Sequence, residues 1–146
     1  MKRSERLAAV RQAMDAEQQQ LAATLAQAQS QVARAAARLD ELQRYFDEYA
    51  EQYRTQVMAG IPASRLRDFQ SFLARIQQAI CAQQDVLRRA QTELDFTRRR
   101  WQVVAGAAAA VGGVVRRWQS EEQRADARRE QSALDEHALR SFYDKS

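Results

Sequence analysis

The chain has one proline, one cysteine, one histidine and four glycines in 146 residues. So few helix breakers leave few places to turn, which excludes a fold built from many short elements. A single cysteine excludes an internal disulfide and a Cys/His metal site, and a reducing compartment is the simplest home for it. The first residues, MKRSERLAAVRQAMDAEQQQ, contain no apolar stretch, so no signal peptide is expected. The longest near-apolar run, Val103–Val115, falls well short of the roughly twenty residues a membrane span needs. Its glycines, Gly106, Gly112 and Gly113, lack the Lys-Ser/Thr ending and the preceding strand of a phosphate-binding loop. His137 stands alone near the end of the chain, and the acidic pairs Asp40-Glu41 and Asp47-Glu48 lie in helical sequence with nothing to enclose them. No catalytic residue, metal ligand, cofactor or small-molecule substrate is therefore expected, and the chain does not read as an enzyme.

What is present is a period. Leu66, Phe69, Leu73, Ile76, Ile80, Gln83, Leu87, Ala90, Leu94, Thr97, Trp101, Val104, Ala108, Val111, Val115 and Trp118 follow one another at steps of three and four. A 3.5-residue repeat held this long marks a helix that buries one narrow seam against another helix, a coiled coil. The first half carries the matching seam. Leu7, Met14, Leu21, Ala28, Ala35, Leu42 and Tyr49 form its d column, and Leu25, Val32, Leu39, Phe46 and Tyr53 fill a. The earlier a positions are Ser4, Arg11 and Gln18, so the seam is weak there and strong from Leu25 onward.

The one break is Met58–Ser64. Gly60 suits a helix C-terminus, Pro62 cannot continue a helix, and Ser64 suits the start of the next one, as Ser4 suits the start of the first. A turn this short joins antiparallel neighbours. The fold expected is all-α, a single unit. It is a two-helix antiparallel coiled-coil hairpin with helix 1 over about 4–58, a turn at 59–64, helix 2 over about 65–118, and a tail or helical extension at 119–146. If the turn centres near residue 60 or 61, Leu42 faces Ala79 and both seams run out at the same end. Beyond Trp118 the a positions are Glu122, Arg129 and Glu136, so the seam is expected to stop, although Leu134, Ala138, Leu139 and Phe142 share one face. The Ala/Gly run at 103–115 is expected to remain helical.

Charge is modest, +4. Such a balance admits an acidic protein or a nucleic acid as partner and selects neither. Arg98-Arg99-Arg100-Trp101 and Arg116-Arg117-Trp118 resemble a nucleic-acid patch, but both tryptophans are seam residues and so poorly placed to stack on bases. Nucleic acid is the less favoured partner. Cys81, on a b position, is expected to be an inert surface thiol.

The aromatics concentrate near the turn: Tyr45, Phe46, Tyr49, Tyr53, Phe69 and Phe72. Tyr45 and Phe72 fall on g, beside the seam. In an antiparallel pair the two g columns flank the same side, so Arg38, Leu42, Tyr45 and Tyr49 on helix 1 stand opposite Phe72, Ile76, Ala79 and Gln83 on helix 2. Together they form one continuous stripe with exposed aromatics, a candidate hot spot for a protein partner.

Tyr45-Phe-Asp-Glu-Tyr49, Gly60-Ile61, Ser64-Arg65, Phe69-Gln-Ser-Phe72, Ala79-Ile80, Trp101 and Leu134-Asp135-Glu136 occur in an order and spacing that resemble the FliJ family over nearly the whole chain. These are soluble components of the bacterial flagellar type III export apparatus. The resemblance implies a non-enzymatic stalk that couples the hexameric export ATPase ring to the export gate, a membrane protein, and that assists export chaperones. It further implies a cytoplasmic protein held peripherally at the inner membrane, with the terminal end toward the ATPase. The cytoplasmic domain of the gate would be contacted by the stripe Arg38, Leu42, Tyr45, Tyr49, Phe72, Ile76, Ala79 and Gln83. Arg38 and Gln83 depart from the residue types commoner in the family, and relatives usually carry charge where this chain has its 103–115 run. The alternatives are the equivalent stalk of a virulence-type secretion system and a nucleic-acid-associated coiled coil.

Overall fold

The computed structural model describes residues 1–145. They form two helices, α1 (Arg3–Ala59) and α2 (Ala63–Lys145), and no strand. Ala, Leu, Gln, Glu and Arg, all good helix formers, fill both. The all-α helical hairpin is as expected.

Both helices begin elsewhere than their serines suggest. At α1 the Lys2 carbonyl accepts from the amides of Glu5 (3.1 Å) and Arg6 (3.3 Å), so Lys2 stands at the N-cap. Glu5 is then three residues on, and its carboxylate accepts from the Lys2 amide at 3.3 Å, which is the acidic half of a capping box. At α2 the Pro62 carbonyl accepts from the amides of Arg65 and Leu66, both at 3.1 Å, and Ser64 lies inside the first turn. The turn therefore shrinks to Gly60–Pro62. Gly60 makes it possible: its φ of 85° is left-handed, where a side chain is strained, and its amide donates to the Val57 carbonyl at 3.2 Å.

The chain divides into two compact units, one of Leu21–Trp101 and one of Met1–Gln20 with Gln102–Ser146. In the first, the turn unit, the buried residues are Leu21, Ala28, Ala35, Ile76, Ile80 and Thr97. Every one is an a or d residue. Removing such apolar surface from water is what holds the helices together, at about 25 cal/mol per Å².

In the second, the terminal unit, Ala108 and Val115 are buried on a positions, and polar residues complete the seam. Contrary to expectation, it does not stop at Trp118: Glu122, Ala125 and Asp126 are half-buried. Ser4, buried on its a position, donates from its amide to Glu122 at 3.3 Å and from its hydroxyl to the same carboxylate. Lys2 pairs with Asp126 at 2.9 Å and Arg3 with Glu121 at 2.8 Å. A criterion that counts apolar residues misses this stretch, because its layers are filled by hydrogen-bonded pairs that satisfy each other. α2 passes through Gly112-Gly113 without interruption and is helical to Lys145. From Ala127 onward its described residues are exposed, Leu134, Leu139 and Phe142 among them.

Gly112 has a packing reason. It is buried, and a Cβ built there would lie 1.4 Å from Nη1 of Arg11. The guanidinium thus occupies the volume a side chain on 112 would need, and its Nε donates to Asp15 at 3.0 Å. Gly106 has nothing within 4 Å of the same construction.

Candidate partner-binding surface

In the turn unit the aromatics form one cluster that crosses from helix to helix. Tyr49 is its centre, with ring centroids 4.4 Å from Phe72, 5.5 Å from Tyr45 and 5.9 Å from Phe69. Tyr45 meets the edge of Phe72 at 6.2 Å, and Tyr53 lies 5.9 Å from Phe69. These are the tilted and edge-to-face arrangements that ring quadrupoles favour. The pairing of Tyr49 with Phe72 is the one the heptad register places face to face.

The eight stripe residues differ in what they offer. Tyr45, 47% exposed, presents nearly half of its surface to solvent. Arg38 and Ala79 are exposed, and the Arg38 guanidinium sits 3.1 Å from Glu41. Leu42, Tyr49 and Phe72 are half-buried. Gln83 is half-buried too, and its amide donates to the Ala35 carbonyl at 3.1 Å, a cross-helix tie that makes a polar d residue tolerable. Ile76, at 6% exposure, belongs to the core beneath the stripe and supports its neighbours. At the turn-side end, Tyr49, Phe69 and Phe72 line a small recess of about 280 Å³ with Arg65 and Asp68.

Part of the basic stretch weighed against this surface is engaged locally. In the turn unit Arg98 lies 3.7 Å from Asp95, Arg100 stands 5.8 Å over the Phe96 ring, and Trp101 is half-buried. In the terminal unit Arg3 covers the Trp118 ring at 4.3 Å, a cation–π contact that occupies a face a base would need. Sequence reasoning missed that contact and the ion pairs of Lys2 and Arg3. The signal was there, two cations opposite Glu121, Glu122 and Asp126.

Lys2 and Asp126 tune each other. The hydrogen bond from Lys2, and then its charge, hold the Asp126 carboxyl below the usual carboxylate range, and the same bond and charge raise the Lys2 ammonium. Among the described residues no group of His, Cys, Asp and Glu is arranged to hold a metal ion, and no helix is long and apolar enough to cross a membrane. Cys81 is exposed. An exposed aromatic ring on a two-helix platform is suited to docking another protein.

Compared with known proteins, residues 2–146 match the family model described as flagellar FliJ protein. No curated protein and no solved structure matches.

Proposed function

Because this chain belongs to the FliJ family and is thereby a component of the flagellar export apparatus, we propose that it acts there without enzymatic activity, as a cytoplasmic stalk that couples the hexameric export ATPase to the export gate. In this reading the stripe around Tyr45 binds the cytoplasmic domain of the gate, the terminal unit engages the ATPase, and export chaperones are further partners. It requires no cofactor.

The observation that carries the gate contact is the aromatic cluster of Tyr45, Tyr49 and Phe72. It spans both helices, so only the folded hairpin presents it, and Tyr45 stands outside the seam with nearly half its surface open. An aromatic anchor lost from an interface typically costs about 2 kcal/mol or more, roughly thirty-fold in affinity.

The test pairs a surface variant with a core variant. Tyr45→Ala with Phe72→Ala keeps near-wild-type circular dichroism and ATPase binding, and loses gate binding and motility. Leu73→Ala, which trims an a residue, lowers helicity and melting temperature instead. If the double variant unfolds, the two rings are seam residues and the reading fails. It fails equally if the variant folds and still binds the gate domain as wild type does.

A further inference from the structure

The stripe does not end at Arg38 and Gln83. The same flank of the turn unit continues into an open groove of about 550 Å³ to which those two residues also contribute. Its floor is apolar: Ala35, Ala90 and Val86, the last 44% exposed. Arg34 and Arg89 also line it, one from each helix, and Glu93 is the single acid of the lining. Neither Arg34 nor Arg89 has an ion-pair partner among the described residues. By contrast Arg44, Arg54 and Arg88 of the same unit each lie against a carboxylate three or four residues earlier, at 2.5, 3.8 and 2.5 Å.

We propose that this groove is the charged extension of the gate-binding surface and takes an acidic amphipathic segment of the gate protein, an apolar side chain on the Ala35–Ala90 floor with carboxylates reaching Arg34 and Arg89. The inference rests on the gate-binding reading of the Tyr45 stripe. Its own support is complementarity. Two unengaged guanidiniums, one from each helix, beside an apolar floor match carboxylates flanking an apolar residue, and guanidinium binds carboxylate through two parallel hydrogen bonds. A nucleic acid would meet the same positive charge, but the groove lining has no aromatic ring for a base to stack on and carries a carboxylate, Glu93, that repels phosphates.

The experiment measures binding of the purified cytoplasmic domain of the gate to four forms of the full chain: wild type, Arg34→Glu with Arg89→Glu, Val86→Gln, and Tyr45→Ala with Phe72→Ala. Circular dichroism checks the fold of each, and each is titrated at low and at high salt. A fluorescent single-stranded oligonucleotide is titrated in parallel. Reversing two exposed cations is expected to leave helicity intact, to weaken gate binding about tenfold at low salt, and to flatten its salt dependence. Val86→Gln, which changes the floor and no charge, is expected to weaken binding without changing the salt slope. Gate binding unchanged by the arginine reversal overturns the groove, while loss in the Tyr45/Phe72 variant in the same series leaves the stripe standing. The opposite pattern overturns the stripe and, with it, the groove as the stripe's extension. No binding by wild type overturns both. Arginine-dependent binding of the oligonucleotide, with the gate domain unaffected, also overturns the proposal.

Discussion

Gly106 and Gly112 stand six residues apart in α2, and alanine at each would test how the terminal unit is packed. A glycine inside a helix costs about 1 kcal/mol relative to alanine, so either substitution begins with a gain of that size. At Gly106 nothing opposes it, since a Cβ there meets no atom within 4 Å. At Gly112 the new methyl overlaps the guanidinium of Arg11, 1.4 Å from Nη1 and 2.6 Å from Cζ. Arg11 can swing away, but it then gives up its pair with Asp15, worth roughly 0.3–0.5 kcal/mol, and re-exposes part of its stem, roughly 20 Å² of apolar surface or about 0.5 kcal/mol. The two effects nearly offset, and Gly112→Ala is expected to be about neutral where Gly106→Ala stabilises by about 1 kcal/mol. For a chain of this size the gap corresponds to roughly 2–4 °C in melting temperature. Leucine at 112 overpacks the site and is expected to cost about 1–3 kcal/mol. Urea unfolding followed by helical circular dichroism measures all of these, and repeating the series with Arg11→Ala completes a double-mutant cycle. In that background Gly112→Ala gains as much as Gly106→Ala. The reasoning is refuted if the gap persists without Arg11, or if it is absent with it.

Two further outcomes follow from the geometry. The Lys2–Asp126 pair has a lowered carboxyl and a raised ammonium. Its contribution is present above the unfolded aspartate value, about 4, is lost as pH falls through the folded Asp126 value, and is lost at the other end as pH rises through the folded Lys2 value. Protection of amides in the first turn of α1, measured against their intrinsic exchange rates, should fall below about pH 4 and in high salt, and Lys2→Gln should abolish that dependence. In a Cys81→Ser background, Leu42→Cys with Ala79→Cys should oxidise to an intramolecular disulfide, and exclusively intermolecular dimers would refute the register.

The period exposed most of the fold. Ala28, Ala35, Ile76, Ile80, Thr97, Ala108 and Val115 are buried where the heptad puts them, and Gly60 closes the turn in the left-handed conformation the sequence suggested. What the period could not show is where polar groups find each other. Ser4 stands where a serine oxygen often caps a helix, yet its hydroxyl goes to Glu122 and the capping falls to backbone carbonyls of Lys2 and Pro62, whose side chains carry no such signal. The apolar pattern ends at Trp118 and the seam does not, for the same reason. On the candidate surface the heptad separates Ile76, a seam residue, from Ala79 on the flank, and the one is core and the other exposed. It does not grade the d residues among themselves: Leu42, Tyr49 and Gln83 stay half-buried where Ile76 is covered, which depends on side-chain direction and the residues opposite.

No large side chain among the described residues is fully enclosed, and the deepest core residue is Ala108, at 1% exposure. Each cross-section of the pair is therefore held by its own few side chains and borrows little from layers farther along. Such an architecture tolerates changes of length in a quantised way. Removing one heptad from α1 and the facing heptad from α2 brings the same faces back into alignment, whereas removing three or four residues from either helix rotates everything beyond the cut away from its partner. Within either unit, the distance between two surface patches can thus change in steps of seven paired residues, while the faces they occupy stay as they were.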